Sequence, residues 1–210
     1  MAGEELTGEA VDAERVLNFW FADADAGPAA AERRQRIWFS GGEVFDQRCS
    51  DGFSEALAAA RRGRLDHWKT SPRGRLALIV LLDQFSRNIY RGTAAAFAQD
   101  ARALALCREG IELGHDLQLS PIERTVFYMP LEHAEDGEIQ ALSVQHFEAL
   151  AAQAPAPLRA LFQANVDYVH EHRDIIERFG RFPHRNAVLG RQSTPEEEAY
   201  LANDAPRFGQ

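Results

Sequence analysis

Two short stretches of the chain repeat one pattern. In "FSRNIYRGT" (Phe85 to Thr93) and "FPHRNAVLGRQST" (Phe182 to Thr194), a phenylalanine precedes an Arg-Asn pair, an apolar stretch and a further arginine. A guanidinium offers a planar fork to carboxylate or phosphate, and an asparagine amide both donates and accepts. Arg87 with Asn88 and Arg185 with Asn186 could therefore hold an anion from two sides, with Arg181 and His184 beside the second pair. The same groups could equally grip Asp83, Glu132 and Asp136 and tie three helices together. A third set lies in "YMPLEHAEDGE", where Glu132, His133 and Asp136 share a helical face and Glu135 stands near its edge. Acids beside an imidazole can ligate a metal or hold the ring as a general base. His172 falls in the middle of an apolar helical face, where a hydrogen-bonded core histidine is the plainer reading.

The elements that must position these groups read as helices almost throughout. "EAVDAERVLNFWF", "VFDQRCSDGFSEALAAARRG" and "AAAFAQDARALALCREGIELG" have helical spacing, and the last two close on Gly63 and Gly114. "SPIE" (Ser120 to Glu123) and "TPEE" (Thr194 to Glu197) carry an N-cap, a proline at the first helical position and a capping-box glutamate. "LALIVLL" could be a buried strand, but it follows the helix start "SPRG" and runs on through "DQFSRNIY" to helix length. Within it, Asp83–Arg87 and Gln84–Asn88 form two i, i+4 polar rows beside an apolar face. Pro130 is expected to kink its helix. Residues 181–193 form a long connection anchored by Phe182, Val188 and Leu189, and long ordered loops often carry function. An all-α array of about eight or nine helices in a single domain, 1–210, is expected.

Composition narrows the function classes. Of 210 residues, 45% are hydrophobic and 26% charged, as in globular proteins, and a net charge of −9 argues against nucleic acid or an anionic membrane as general partners. Lys69 is the only lysine, so coding bias makes arginine as such uninformative. Cys49 and Cys107 follow no metal or redox spacing and read as packed, reduced thiols. The acidic N-terminus has no signal-peptide core, which predicts a soluble, cytoplasmic protein.

"LLDQFSRNIYRGT", "FYMPLEHAED" and "HRDIIERFGRFPHRNAVLGRQSTPEE" together resemble a widespread bacterial family catalogued as domain of unknown function 924. The resemblance covers nearly the whole chain, with Ser86 where the family commonly has proline. It implies an all-helical fold like the tetratricopeptide-repeat superfamily, and no established activity.

Three functional readings follow. In the first, the Arg/Asn/His/Glu groups line a cleft that binds an anionic small molecule or a peptide carboxylate. In the second, a hydrolase uses His133 or His184 as base, Glu132 to orient it, and Arg87 and Arg185 against developing negative charge. No G-x-S-x-G motif, activated cysteine or phosphate loop accompanies that reading, and no cofactor is expected. A metal-dependent form would use Glu132, His133, Asp136 and His172, without H-E-x-x-H or the paired E-x-x-H helices of di-iron bundles. In the third, the polar motifs are internal ion-pair networks of a helical scaffold.

Overall fold

Ser71, Ser120 and Thr194 each precede a proline, and each starts a helix. The Ser71 side chain accepts from the Gly74 amide, while Ser120 with Glu123 and Thr194 with Glu197 complete the expected capping boxes. Such caps replace hydrogen bonds that the first helical turn cannot make for itself. The structure, a computed structural model, describes residues 11–40 and 42–203. Residues 1–10, on which the expected lack of a leader rests, and the last stretch of the expected domain, 204–210, lie outside the described residues.

The helices are α1 (Ala13–Phe21), α2 (Pro28–Ser40), α3 (Gly42–Arg61), α4 (Pro72–Ile79), α5 (Ser86–Ile89), α6 (Asp100–Glu112), α7 (Pro121–Glu132), α8 (Gly137–Ala152), α9 (Arg159–Phe179) and α10 (Pro195–Leu201). A π-helical stretch, Val80–Phe85, joins α4 to α5 without a break. Counting that rod once, nine helices and no strand are present among the described residues. Short 3-10 turns fill several connections. One of them, Pro183–Arg185, gives the long loop before α10 a rigid centre. The loop is anchored by Phe182, which is fully buried. Val188 is only half-buried and Leu189 is exposed, contrary to the expected three-point anchor.

The α4–π–α5 rod forms the centre of the core. Leu76 to Leu82 and Phe85 are completely buried, and α1, α3, α6 and α7 pack around the rod. An aromatic cluster closes its lower half. Trp20 stacks on Trp38 at 5.4 Å, and Phe85 meets Phe53 at 4.8 Å, geometries worth about 0.5–1.5 kcal/mol per pair beyond area burial. The rod starts under tight constraint. A Cβ at Gly74 would collide with the backbone carbonyl of Trp68, and backbone cannot swing aside as a side chain can. Gly74→Ala is therefore expected to destabilise the protein by about 1–3 kcal/mol, read as a lowered midpoint in urea.

One local expectation is corrected. Helix α7 runs through Pro130 and ends at Glu132, with His133 as its C-cap. Glu132, His133 and Asp136 consequently do not share one helical face: Asp136 instead N-caps α8, accepting from the amides of Glu138 and Ile139. The physical cause is the turn between the helices. Gln140 Nε2 donates to the carbonyls of Glu132 and Ala134 at 2.7 and 2.8 Å, so α8 satisfies carbonyls that the end of α7 leaves open.

Candidate functional site

A pocket of about 90 Å³ opens where the π stretch, the end of α7, the middle of α9 and the Pro183–Arg185 turn meet. Gln84, Arg87, Asn88, Glu132, His133, His172, His184 and Arg185 line it with Trp38 and Phe97, and the exposed Phe39, Arg91 and Tyr168 form its rim. It has room for a few waters or a small polar molecule. π-Helical turns recur at functional sites because they displace side chains from regular α spacing, and here the turn carries Asp83 and Gln84.

The floor is an ion-pair lattice. Asp83 is fully buried and accepts from Arg87 Nη1 at 2.9 Å, from Gln84 Nε2, and from His133 Nδ1 at 2.8 Å. Burial alone would raise the Asp83 carboxyl, but Arg87 and His133 outweigh it and hold the group well below the usual carboxylate range. An ionised Asp83 requires the proton of neutral His133 to sit on Nδ1, which leaves Nε2 facing the pocket as an acceptor. Arg87 is well partnered: it also reaches Asp100 with both Nη atoms, at 2.9 and 3.0 Å. In this half of the site the charged groups are paired with one another.

The other half is not saturated. Arg185 is 6% exposed, lies between the rings of Phe97 and Phe182 at 4.7 and 4.4 Å, and donates from Nη1 to the His133 carbonyl at 3.1 Å. Its nearest acid is Asp100 at 3.4 Å, already shared with Arg87. Its Nε is buried without an acceptor. Desolvation, reinforced by Arg87, lowers this guanidinium to about 10. Glu132 is the counterpart among the acids. Burial first and the Asp83 charge second push its carboxyl up to about 8, so it is protonated at neutral pH. Its Oε1 stands 3.6 Å from His133 Nε2, too far for a direct hydrogen bond and near enough for a shared water. Burial and then Arg87 lower His133, while burial brings His172 and His184 to about 3. The pocket thus presents neutral imidazoles, a neutral carboxyl and an under-compensated cation.

The match to a family of bacterial proteins of unknown function, DUF924, spans residues 16–205. The chain belongs to that family. The solved structure of protein of unknown function ATU0120 from Agrobacterium tumefaciens is similar to this DUF924 chain, with 40% identity over 90% of this chain and 96% of that one and a TM-score of 0.75. No curated protein matches it.

Seven of the expected site residues meet at this DUF924 pocket: Arg87, Asn88, Glu132, His133, His172, His184 and Arg185, with Asp83 directly beneath. The expected i, i+4 bond from Asp83 to Arg87 forms. Gln84 and Asn88 do not pair with each other: Asn88 donates to Asp46 at 2.8 Å. Asn186 turns away from the pocket and bonds to Ser193, Glu197 and Arg191, while Arg181 pairs with Glu197. The two Arg-Asn pairs therefore do not act alike. Their arginines meet across Asp100, whereas each asparagine pins a different neighbouring segment. His172 keeps its core role and also forms a wall, its Nδ1 on the Tyr168 carbonyl at 2.9 Å. Asp100, Phe97, Tyr168 and the α2 rim were not singled out in the sequence. Asp100 reads there as an ordinary first-turn acid, and the aromatics read as packing. No group of three or more His, Cys, Asp or Glu suited to a metal ion occurs among the described residues. Cys49 and Cys107 are buried and unpaired, and burial raises both thiols, Cys49 to about 12. Neither is a ready thiolate. No helix among the described residues is long and apolar enough to cross a membrane.

Proposed function

We propose that the pocket binds a small anionic molecule, a carboxylate or phosphate, through Arg185. The observation that carries this reading is the buried Arg185 guanidinium with an unpartnered Nε, whose nearest carboxylate, Asp100, is shared with a second arginine. A buried cation short of partners is costly, and an anion removes that cost. Glu132, protonated, adds no opposing charge beside it. The pocket volume limits the enclosed part of the ligand to a few heavy atoms, and a larger remainder would pass between Phe39 and Tyr168, both exposed at its mouth. The successive packing of α6 on α7, α7 on α8 and α8 on α9 supports a tetratricopeptide-like array as the frame. The two free, buried thiols suit a reducing, cytoplasmic setting.

Thermal unfolding with potassium acetate, succinate or phosphate, against potassium chloride, tests the reading. At pH 6.5 and ten times Kd, one of these anions should stabilise the protein by about 1.4 kcal/mol, a rise of about 2–4 °C in Tm for each kcal/mol. Arg185→Met should fold and lose the rise. No response to any of the three anions contradicts the proposal. So does a loss of about 3–5 kcal/mol in Arg185→Met, which would make Arg185 part of the ion-pair lattice.

A further inference from the structure

The arrangement around His133 goes further than binding. Asp83 fixes one ring nitrogen at 2.8 Å, so Nε2 points into the pocket in a set orientation. Glu132 ends α7, the next residue C-caps it, and both backbone positions are tied down by Gln140 of α8 or by the Met129 carbonyl. The two functional atoms stand 3.6 Å apart and face the same small space that Arg185 lines. An oriented base and an adjacent acid are the two parts that general acid–base chemistry needs, and no side chain in the pocket is a ready nucleophile, which leaves water to attack.

We propose that the site hydrolyses a small ester carrying an anionic group, with His133 Nε2 as general base and Glu132 as general acid. This rests on the reading of Arg185 as the anchor of that anionic group. In the first step water adds to the ester carbon while Nε2 takes one of its protons, and the carbonyl π pair moves onto oxygen. In the second that pair returns, the bond to the alkoxy oxygen breaks, and Glu132 gives its proton to the leaving oxygen. The protonated His133 then returns its proton to the Glu132 carboxylate, directly or through one water. Ester and water become acid and alcohol, and both side chains regain their starting forms. Asp83 is a positioning residue: it holds the tautomer and stabilises the imidazolium. At neutral pH the burial that keeps His133 unprotonated and Glu132 protonated leaves both groups in the working state together.

The test is methanol release from monomethyl succinate, followed by proton NMR, with methyl butanoate as the uncharged comparison. The expected result is release well above buffer, preferring the charged ester, and falling as pH rises through about 8. Glu132→Gln, which puts a neutral amide where a neutral carboxyl stood, should remain folded and still respond to succinate while losing at least about 100-fold in rate. A protein stabilised by succinate that releases no methanol between pH 5 and 9 overturns the hydrolytic inference and leaves the binding reading standing. Release that is equal for both esters, with no stabilisation by succinate, overturns the anion anchor and leaves the acid–base pair. A rate unchanged by Glu132→Gln, or no loss above pH 8, removes Glu132 as the acid and overturns the inference.

Discussion

Replacing Asp83 by asparagine is expected to lower the unfolding free energy by about 3–5 kcal/mol at pH 7. The asparagine would occupy the same space but carry no charge. Arg87 would keep Asp100, yet it would lose one of the two carboxylates that stand 2.9 Å from its Nη1, and His133 would lose the acceptor that fixes its tautomer. The sign of the pH dependence follows from the lowered Asp83 carboxyl. Its stabilisation is present above 3.8, the ordinary value, and disappears as pH falls through the lower value of the folded state. Wild type and variant should therefore differ most near neutrality and converge in acid. Urea unfolding at pH 7 and pH 2 measures this, since the folded carboxyl is held down to about 2. A deficit under about 1 kcal/mol at pH 7 would mean that Asp100 alone compensates Arg87.

Glu132→Gln is expected to have the opposite effect, and one that grows with pH. The folded state holds the Glu132 proton up to about 8, whereas the unfolded chain releases it near 4.5. Because the folded form binds more protons across that interval, wild-type stability falls as pH rises from 4.5 to about 8 and is level beyond it. The full loss is on the order of 5 kcal/mol, at about 1.4 kcal/mol per pH unit. Glutamine has nothing to ionise, so the variant should gain on wild type across the same window. Unfolding at pH 5 and pH 9 provides the comparison, and parallel stability in the two proteins would show that Glu132 ionises normally. A buried acid kept at such a cost, with no cation of its own, is what a functional group requires and what a structural one avoids.

Much of the fold was legible because helix starts are local. Ser71, Ser120 and Thr194 with their following prolines carry the instruction within four residues, and each helix begins where its cap stands. The π stretch was not legible, since Val80–Phe85 continues the chain from α4 into α5 without a break and carries no local signal of its own; it packs against α3, α6 and α7. At the site, residues close in sequence were the easiest to group and the easiest to group wrongly. Asp136 belongs to the pattern around His133 on a continuous helix, but the chain turns at His133 and Asp136 becomes a cap. Asn88 and Asn186 match as sequence yet bond to different partners, Asp46 and Glu197, which lie outside the motifs, 42 and 11 positions away. Asp100 was overlooked for the same reason. Its importance comes from facing two arginines, Arg87 and Arg185, which lie 13 and 85 positions from it in the chain.

The most direct measurement is a carbon-13 NMR titration of the Glu132 side-chain carboxyl, with and without succinate. A midpoint near 8, moving upward when succinate is present because a second negative charge disfavours ionisation, is the predicted result. A midpoint near 4.5 that does not respond to succinate would contradict both the neutral acid in the pocket and the anion beside it.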